Sequence, residues 1–204
     1  MEKLLSISDA IDRLATRIGK WAAWLILPMV AITMFDVLTR KYVPVQQFIA
    51  NSPVGHVITS TKLQEMEWHL HTALFALCFG WAYLRDAHVR VDLVREKLKP
   101  RKQAWIEFIG CLVFLLPYTA VVTFFGWEFV IRSFVVLEGS ASMTGMPYRF
   151  VIKGILLAGI MIALLAGLSI LFRKLVYLFG PAELLPRTSP LHSAANEPIA
   201  ALED

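Results

Sequence analysis

Apolar residues along this 204-residue chain gather into four long runs, not into short alternating stripes. Residues 21–39 carry one charge, Asp36, while residues 68–84, 108–127 and 154–172 carry none. A helix rising about 1.5 Å per residue needs about 20 apolar residues to cross a hydrocarbon core about 30 Å thick. Backbone groups exposed to lipid find no water, so a spanning segment of this kind must be helical. With flanking residues included, the runs predict spans at about 21–39, 66–84, 104–127 and 150–172. The expected fold is therefore an all-α integral membrane protein with four transmembrane helices, its membrane domain covering 20–178.

The ends differ from the middle. Ile7, Ile11, Leu14 and Ile18 recur at helical spacing, with Asp9, Asp12, Arg13 and Arg17 between them. Residues 1–19 thus predict an amphipathic helix on the cytoplasmic membrane surface, opened by a capping box from Ser6 to Asp9. The first apolar run starts too late and is too long for the core of a signal peptide. Pro181, Pro186, Pro190 and Pro198 punctuate the last segment, and 179–204 is expected to be a disordered tail. Lys and Arg number four in 1–20, seven in 85–103 and three in 173–204, but three in each of 40–67 and 128–153. Fourteen against six places both termini and the central loop in the cytoplasm.

Composition reinforces the membrane reading. The chain is 57% hydrophobic and 18% charged, with a mean hydropathy of +0.59. Soluble domains run nearer 45–50% apolar and about 25% charged. Although the pI is about 9.2, the basic residues sort by membrane side and not onto a groove-facing element, so no nucleic acid is expected. Cys78 and Cys111 stand alone within apolar runs and read as small buried hydrophobes.

Candidate chemistry is sparse. Asp36 is the one acid inside a span, which makes it a functional hypothesis by default. Arg40 lies one helical turn on, so an ion pair is the simpler reading. Glu65 and Glu67 precede the second span, where the helix dipole favours negative charge; they serve as caps or as struts to a partner. His69 and His71 follow, but the other spans hold no His to complete a haem site. Glu128 and Arg132 form a further turn-spaced pair. Gly159, Ala163 and Gly167 repeat every four residues and allow close helix approach, within the bundle or against another protein. Pro28 and Pro117 should bend their helices. There is no pair of matching broken helices, no midplane polar cluster, no nucleophile with a base and no metal-ligand group. A self-contained transporter or enzyme is therefore not expected, and neither a catalytic residue, a metal nor a cofactor is assigned to this chain.

Residues 63–92, LQEMEWHLHTALFALCFGWAYLRDAHVRVD, resemble the small membrane subunit, the Q subunit, of the tripartite ATP-independent periplasmic (TRAP) transporters. That family places an acid before its second span, here Glu65 or Glu67, and closes the span with an Arg and a His-Val-Arg-Val-Asp run, here Arg85 and His88, Arg90 and Asp92. The Asp36 to Arg40 segment, followed by Lys41-Tyr42, and Gly145-Met-Pro147 are similar to family features as well, and the resemblance covers about 15–178. The connection 40–67, with Pro44 and Pro53, is longer than is usual in the family. The resemblance implies a non-catalytic scaffold that braces a separate large membrane subunit of the elevator type in the bacterial inner membrane. Sodium and the substrate, usually an organic acid, would bind that partner. A periplasmic substrate-binding protein would dock transiently, and phospholipids would surround the complex. Asp36, Arg40, Glu65, Glu67, Arg85, His88, Arg90, Asp92, Gly159, Ala163 and Gly167 are the expected partner interface. Of the two acids, Glu65 is the one expected to meet the large subunit. The competing class is a membrane-anchor subunit of a redox enzyme that binds haem or quinone.

Overall fold

The computed structural model describes residues 1–55, 58–87 and 97–188, and these contain helices and no strand. Helix α1 (Glu2–Ala23) runs through a short turn into α2 (Ile26–Lys41). A short helix α3 (Val43–Ala50) precedes α4 (Ser60–Leu84). Helix α5 (Pro100–Gly110) passes through a π-helical turn (Cys111–Leu115) into α6 (Leu116–Val135). The long helix α7 (Phe150–Phe179) ends the bundle, followed by a 3₁₀ turn (Ala182–Arg187).

Three of the described helical runs are long and apolar enough to cross a membrane: Glu2–Lys41, Pro100–Val135 and Phe150–Phe179. They contain three of the four expected spans. The remaining one, 66–84, lies in α4, whose 25 residues would reach across a bilayer by length. Lys62, Glu65, Glu67, His69 and His71 make its first half polar, so it is not among the three.

Helix α7 is the hub. It packs against α1, α4, α5 and α6, while α2 rests on α4. The α4–α7 contact is built from small residues: Ala73, Ala76 and Gly80 on α4 are buried, as are Gly159, Ala163 and Ala166 on α7. A Cβ added at Gly159 would lie 2.4 Å from the Ala76 carbonyl oxygen, and one at Gly80 would lie 2.7 Å from an Ile162 methyl. Without a hydrophobic drive between helices in lipid, such close backbone approach supplies the packing energy.

Helix ends without glycine are made by other means. Both α4 and α6 close in Schellman motifs, with Asp86 (φ 59°) and Leu137 (φ 46°) in the left-handed region. Ala87 N–H donates to the Ala82 carbonyl, and Glu138 N–H donates to the Ser133 carbonyl. Asp tolerates that conformation; Leu is strained in it. At the start of α4, Thr59 Oγ1 accepts from Lys62 N–H at 3.2 Å. The helix therefore begins six residues before the expected span.

Three sequence expectations need correction. Helix α1 starts at Glu2, so Ser6 lies inside it and forms no capping box. Its buried face is Leu5, Ser8, Asp12, Ala15, Thr16, Gly19 and Ala22, whereas Ile7 and Leu14 point outward. The expected apolar stripe is thus not what packs on the bundle, because the small and polar residues match the partners that α7 offers. The tail is not irregular from 179: the 3₁₀ turn packs Leu184 against Leu5 and Val176. Residues 189–204 of that predicted tail lie outside the described residues.

Candidate partner interface

The first polar cluster joins α1 to α7 near the chain's N-terminus. Arg173 is 2% exposed, and its guanidinium donates to Asp9 at 2.6 Å and to Asp12 at 2.7 Å. It also donates to the Arg187 carbonyl at 2.9 Å, which fixes the 3₁₀ turn. Ser169 donates to Asp12 at 2.5 Å, and Ser8 donates to the Ser169 carbonyl at 3.3 Å. Two carboxylates converge on one buried cation, with hydroxyls completing the shell, as burying charge requires. None of this was anticipated: Asp9 and Asp12 read as a solvated helix face. The one available signal was Arg173 ending an apolar run.

The second cluster lies at the far end, where α4 begins. Glu65 is 8% exposed. Its carboxylate accepts from the Ser140 hydroxyl, from Met146 N–H at 2.5 Å and from Arg149 at 3.3 Å. Burial pushes its pKa up, but those donors outweigh burial and hold the carboxyl below its ordinary value. Beside it, Lys153 pairs with Glu138 and sits 3.8 Å from the Phe129 ring centre. The Lys153 hydrogen bond, aided by Ser133, lowers the Glu138 pKa. The loop between α6 and α7 is thereby tied to α4.

The expected interface residues divide accordingly. Glu65 binds its own chain with both oxygens, through donors of the 140–149 loop. Glu67 keeps a buried carboxylate oxygen with no hydrogen-bond partner among the described residues. Asp36 is fully buried, pairs with Arg40 and accepts from the Ser60 hydroxyl at 3.0 Å. Arg85 is exposed at the end of α4, its guanidinium 5.8 Å from the Trp81 ring centre. His88, Arg90 and Asp92 lie outside the described residues. Gly159, Ala163 and Gly167 are buried within the chain. Gly159 meets α4, and a Cβ at Gly167 would lie 2.8 Å from Leu115 of the π-helical turn. The seam therefore serves packing within this chain.

Cys111 is buried and donates to the Gly167 carbonyl at 3.1 Å, and Cys78 donates to the Gly19 carbonyl at 3.4 Å. His69 holds the Glu65 carbonyl through Nδ1 at 2.5 Å, and Glu128 pairs with Arg132 on the surface. No group of three or more potential metal ligands occurs among the described residues.

The model of the DctQ component of the tripartite ATP-independent periplasmic transporters matches residues 29–176. The chain belongs to the DctQ family. It is the small membrane subunit of a TRAP transporter, a component that works with a large membrane subunit and a substrate-binding protein. No curated protein and no solved structure matches the chain. Membership in a transporter family leaves the haem- or quinone-binding anchor without support. The match spans α4, α6 and nearly all of α7, and leaves out α1, with its Asp9 and Asp12.

Proposed function

We propose that this DctQ chain is the non-catalytic scaffold of a sodium-coupled transporter for organic acids, bracing the large subunit in the bacterial inner membrane. In this reading α2, α4, α5–α6 and α7 supply four spans, with both termini cytoplasmic. No cofactor or sodium binds this chain, and the substrate site belongs to the large subunit. One observation carries the scaffold role. Asp12, Asp36, Glu65 and Arg173, the buried charges among the described residues, all bind other groups of this same chain. They hold helices in place. Glu67, Arg40, Arg85, His88, Arg90 and Asp92 remain for the large subunit, with Glu67 replacing Glu65 as the contacting acid. Vesicles containing this chain alone should show no sodium-driven organic-acid uptake, whereas vesicles with both membrane subunits and the binding protein should. Robust uptake by this chain alone would refute the scaffold role.

A further inference from the structure

Helix α4 leaves one long face uncovered by the other described residues. Its buried side, with Ala73, Ala76 and Gly80, packs on α7. Away from it, Gln64, Trp68, His71 and Phe75 lie four, three and four residues apart, so they form one row, and all four are exposed. Six residues past Glu65, His71 stands about 9 Å deeper along the helix, and Phe75 about 15 Å deeper. Trp68 is held at the head of the row, its ring centre 5.8 Å from the Arg149 guanidinium. No hydrogen bond or ion pair joins His71 to another described residue. Glu67, one turn before it, keeps its unpartnered buried oxygen. Helix α6, by contrast, turns Phe114, Val121 and Phe125 outward, with the Tyr118 hydroxyl as the one polar group in that row.

We propose that the large membrane subunit lays one of its helices along this α4 row, with hydrogen-bonding side chains opposite Glu67 and His71, and that the outward face of α6 meets lipid. The chemistry of the row chooses the occupant. Hydrocarbon offers no partner to an imidazole or a carboxylate, so polar side chains at membrane depth face protein or water. Water alone would leave Trp68, 40% exposed, and Phe75, 60% exposed, uncovered. A protein helix serves both needs, with a basic or hydrogen-bonding group for Glu67 and His71 and an apolar stripe for the two rings. The spacing of the row suits a helix crossing α4 at about 20°, the common angle of membrane bundles. The α6 row has the same spacing but presents almost nothing that lipid tails cannot cover. The proposal rests on the scaffold reading, in which α4 crosses the membrane beside the large subunit.

The test uses the full complex, with both membrane subunits and the binding protein expressed together in native membranes. The photoreactive residue p-benzoylphenylalanine replaces Trp68 or Phe75 on α4 and Phe114 or Phe125 on α6, an aromatic for an aromatic at exposed positions. After illumination the α4 probes should give an adduct of this chain with the tagged large subunit, and the α6 probes should give little or none. His71→Leu, which a lipid-facing site would accept, should weaken co-purification of the large subunit about threefold, the loss of one interhelical hydrogen bond. His71→Gln should restore part of it. An adduct from α6 alone, equal yields from both helices, or an α4 adduct between two copies of this chain overturns the proposal. So does an intact complex with no adduct at either α4 position. An α4 probe that leaves this chain folded but releases the large subunit supports it, and unchanged recovery of His71→Leu overturns the placement of a bond at His71. Sodium-driven uptake by this chain alone would refute the scaffold reading and leave the cross-linking result standing.

Discussion

The two ends of the bundle are locked by opposite arrangements. Near the N-terminus one buried cation, Arg173, gathers two carboxylates from α1. At the far end one buried carboxylate, Glu65, gathers a hydroxyl, a backbone N–H and one partly exposed guanidinium, Arg149. The first lock depends on charge balance, since removing Arg173 strands the buried Asp12, while Asp9 keeps Arg187. The second is redundant, since neutral donors do part of the work. Between them the α4–α7 seam uses no charge at all, only close backbone approach. A helix end can thus be fastened by charge or by hydrogen bonding, and the two should fail differently.

The largest expected effect is at the charge-dependent lock. Arg173→Met should destabilise the fold by about 3–5 kcal/mol, because Asp12 is left buried and unpaired. Thermal unfolding of the purified complex in detergent would show this. Asp12→Asn, which removes one of two acids around a cation that still has Asp9, should cost clearly less. Equal losses would mean that the lock does not depend on the balance of charge.

The seam comes next. Gly159→Leu must push α4 away, because even a Cβ meets the Ala76 backbone. Overpacking of this kind costs about 1–3 kcal/mol. A Cβ at Gly154 meets nothing within 4 Å, so Gly154→Ala should be neutral or mildly stabilising in the same melt. Loss at both positions would place the tight contact elsewhere on α7.

How much of this was legible follows from the range of each interaction. The apolar runs are local, so the helices that contain them were readable from the length of the runs alone. Gly159, Ala163 and Gly167 were visible as a small-residue stripe, but their direction was not, because only the facing Ala73, Ala76 and Gly80 settle it. Nor does apolarity reveal centrality: 44% of the most apolar stretch of α7 is buried, against 11% for the runs ending in α2 and α6. The locks were invisible for a different reason. Asp12 and Arg173 are 161 residues apart, and Met146 meets Glu65 through a backbone N–H that any residue would supply. Likewise the ends of α4 and α6 gave no signal, because Asp86 and Leu137 stand where a glycine would mark a Schellman motif.

The hydrogen-bonded lock should respond more gently. Glu65→Gln keeps the shape but loses the charge-assisted bonds, a cost of about 1–3 kcal/mol. The folded-state pKa of Glu65 lies below its ordinary value, so its contribution is fully present above the ordinary carboxylate range. It should fade only as pH falls through the lower folded value. Melting midpoints of the unmodified chain and Glu65→Gln should therefore converge in strong acid and stay apart near neutrality. Glu67→Gln should leave the melt of this chain little changed yet reduce co-purification of the large subunit. The reverse pattern would return the partner contact to Glu65.

The smallest effect should come from the pair that resembles a lock but lies outside the bundle. Arg132 and Glu128 are 2.5 Å apart on α6, with side chains 77% and 49% exposed. Surrounded by water or headgroups, both ions stay solvated after separation, and a surface pair of this spacing is worth about 0–1 kcal/mol. Arg132→Gln should therefore shift the melting midpoint by less than Glu65→Gln and far less than Arg173→Met. Because the difference between these arginines is burial and not pairing, raising the salt should erase the Arg132 contribution and leave the Arg173 contribution largely intact. A salt-sensitive Arg173 would mean that water reaches the α1–α7 cluster, and the contrast between the two ends would then be one of degree.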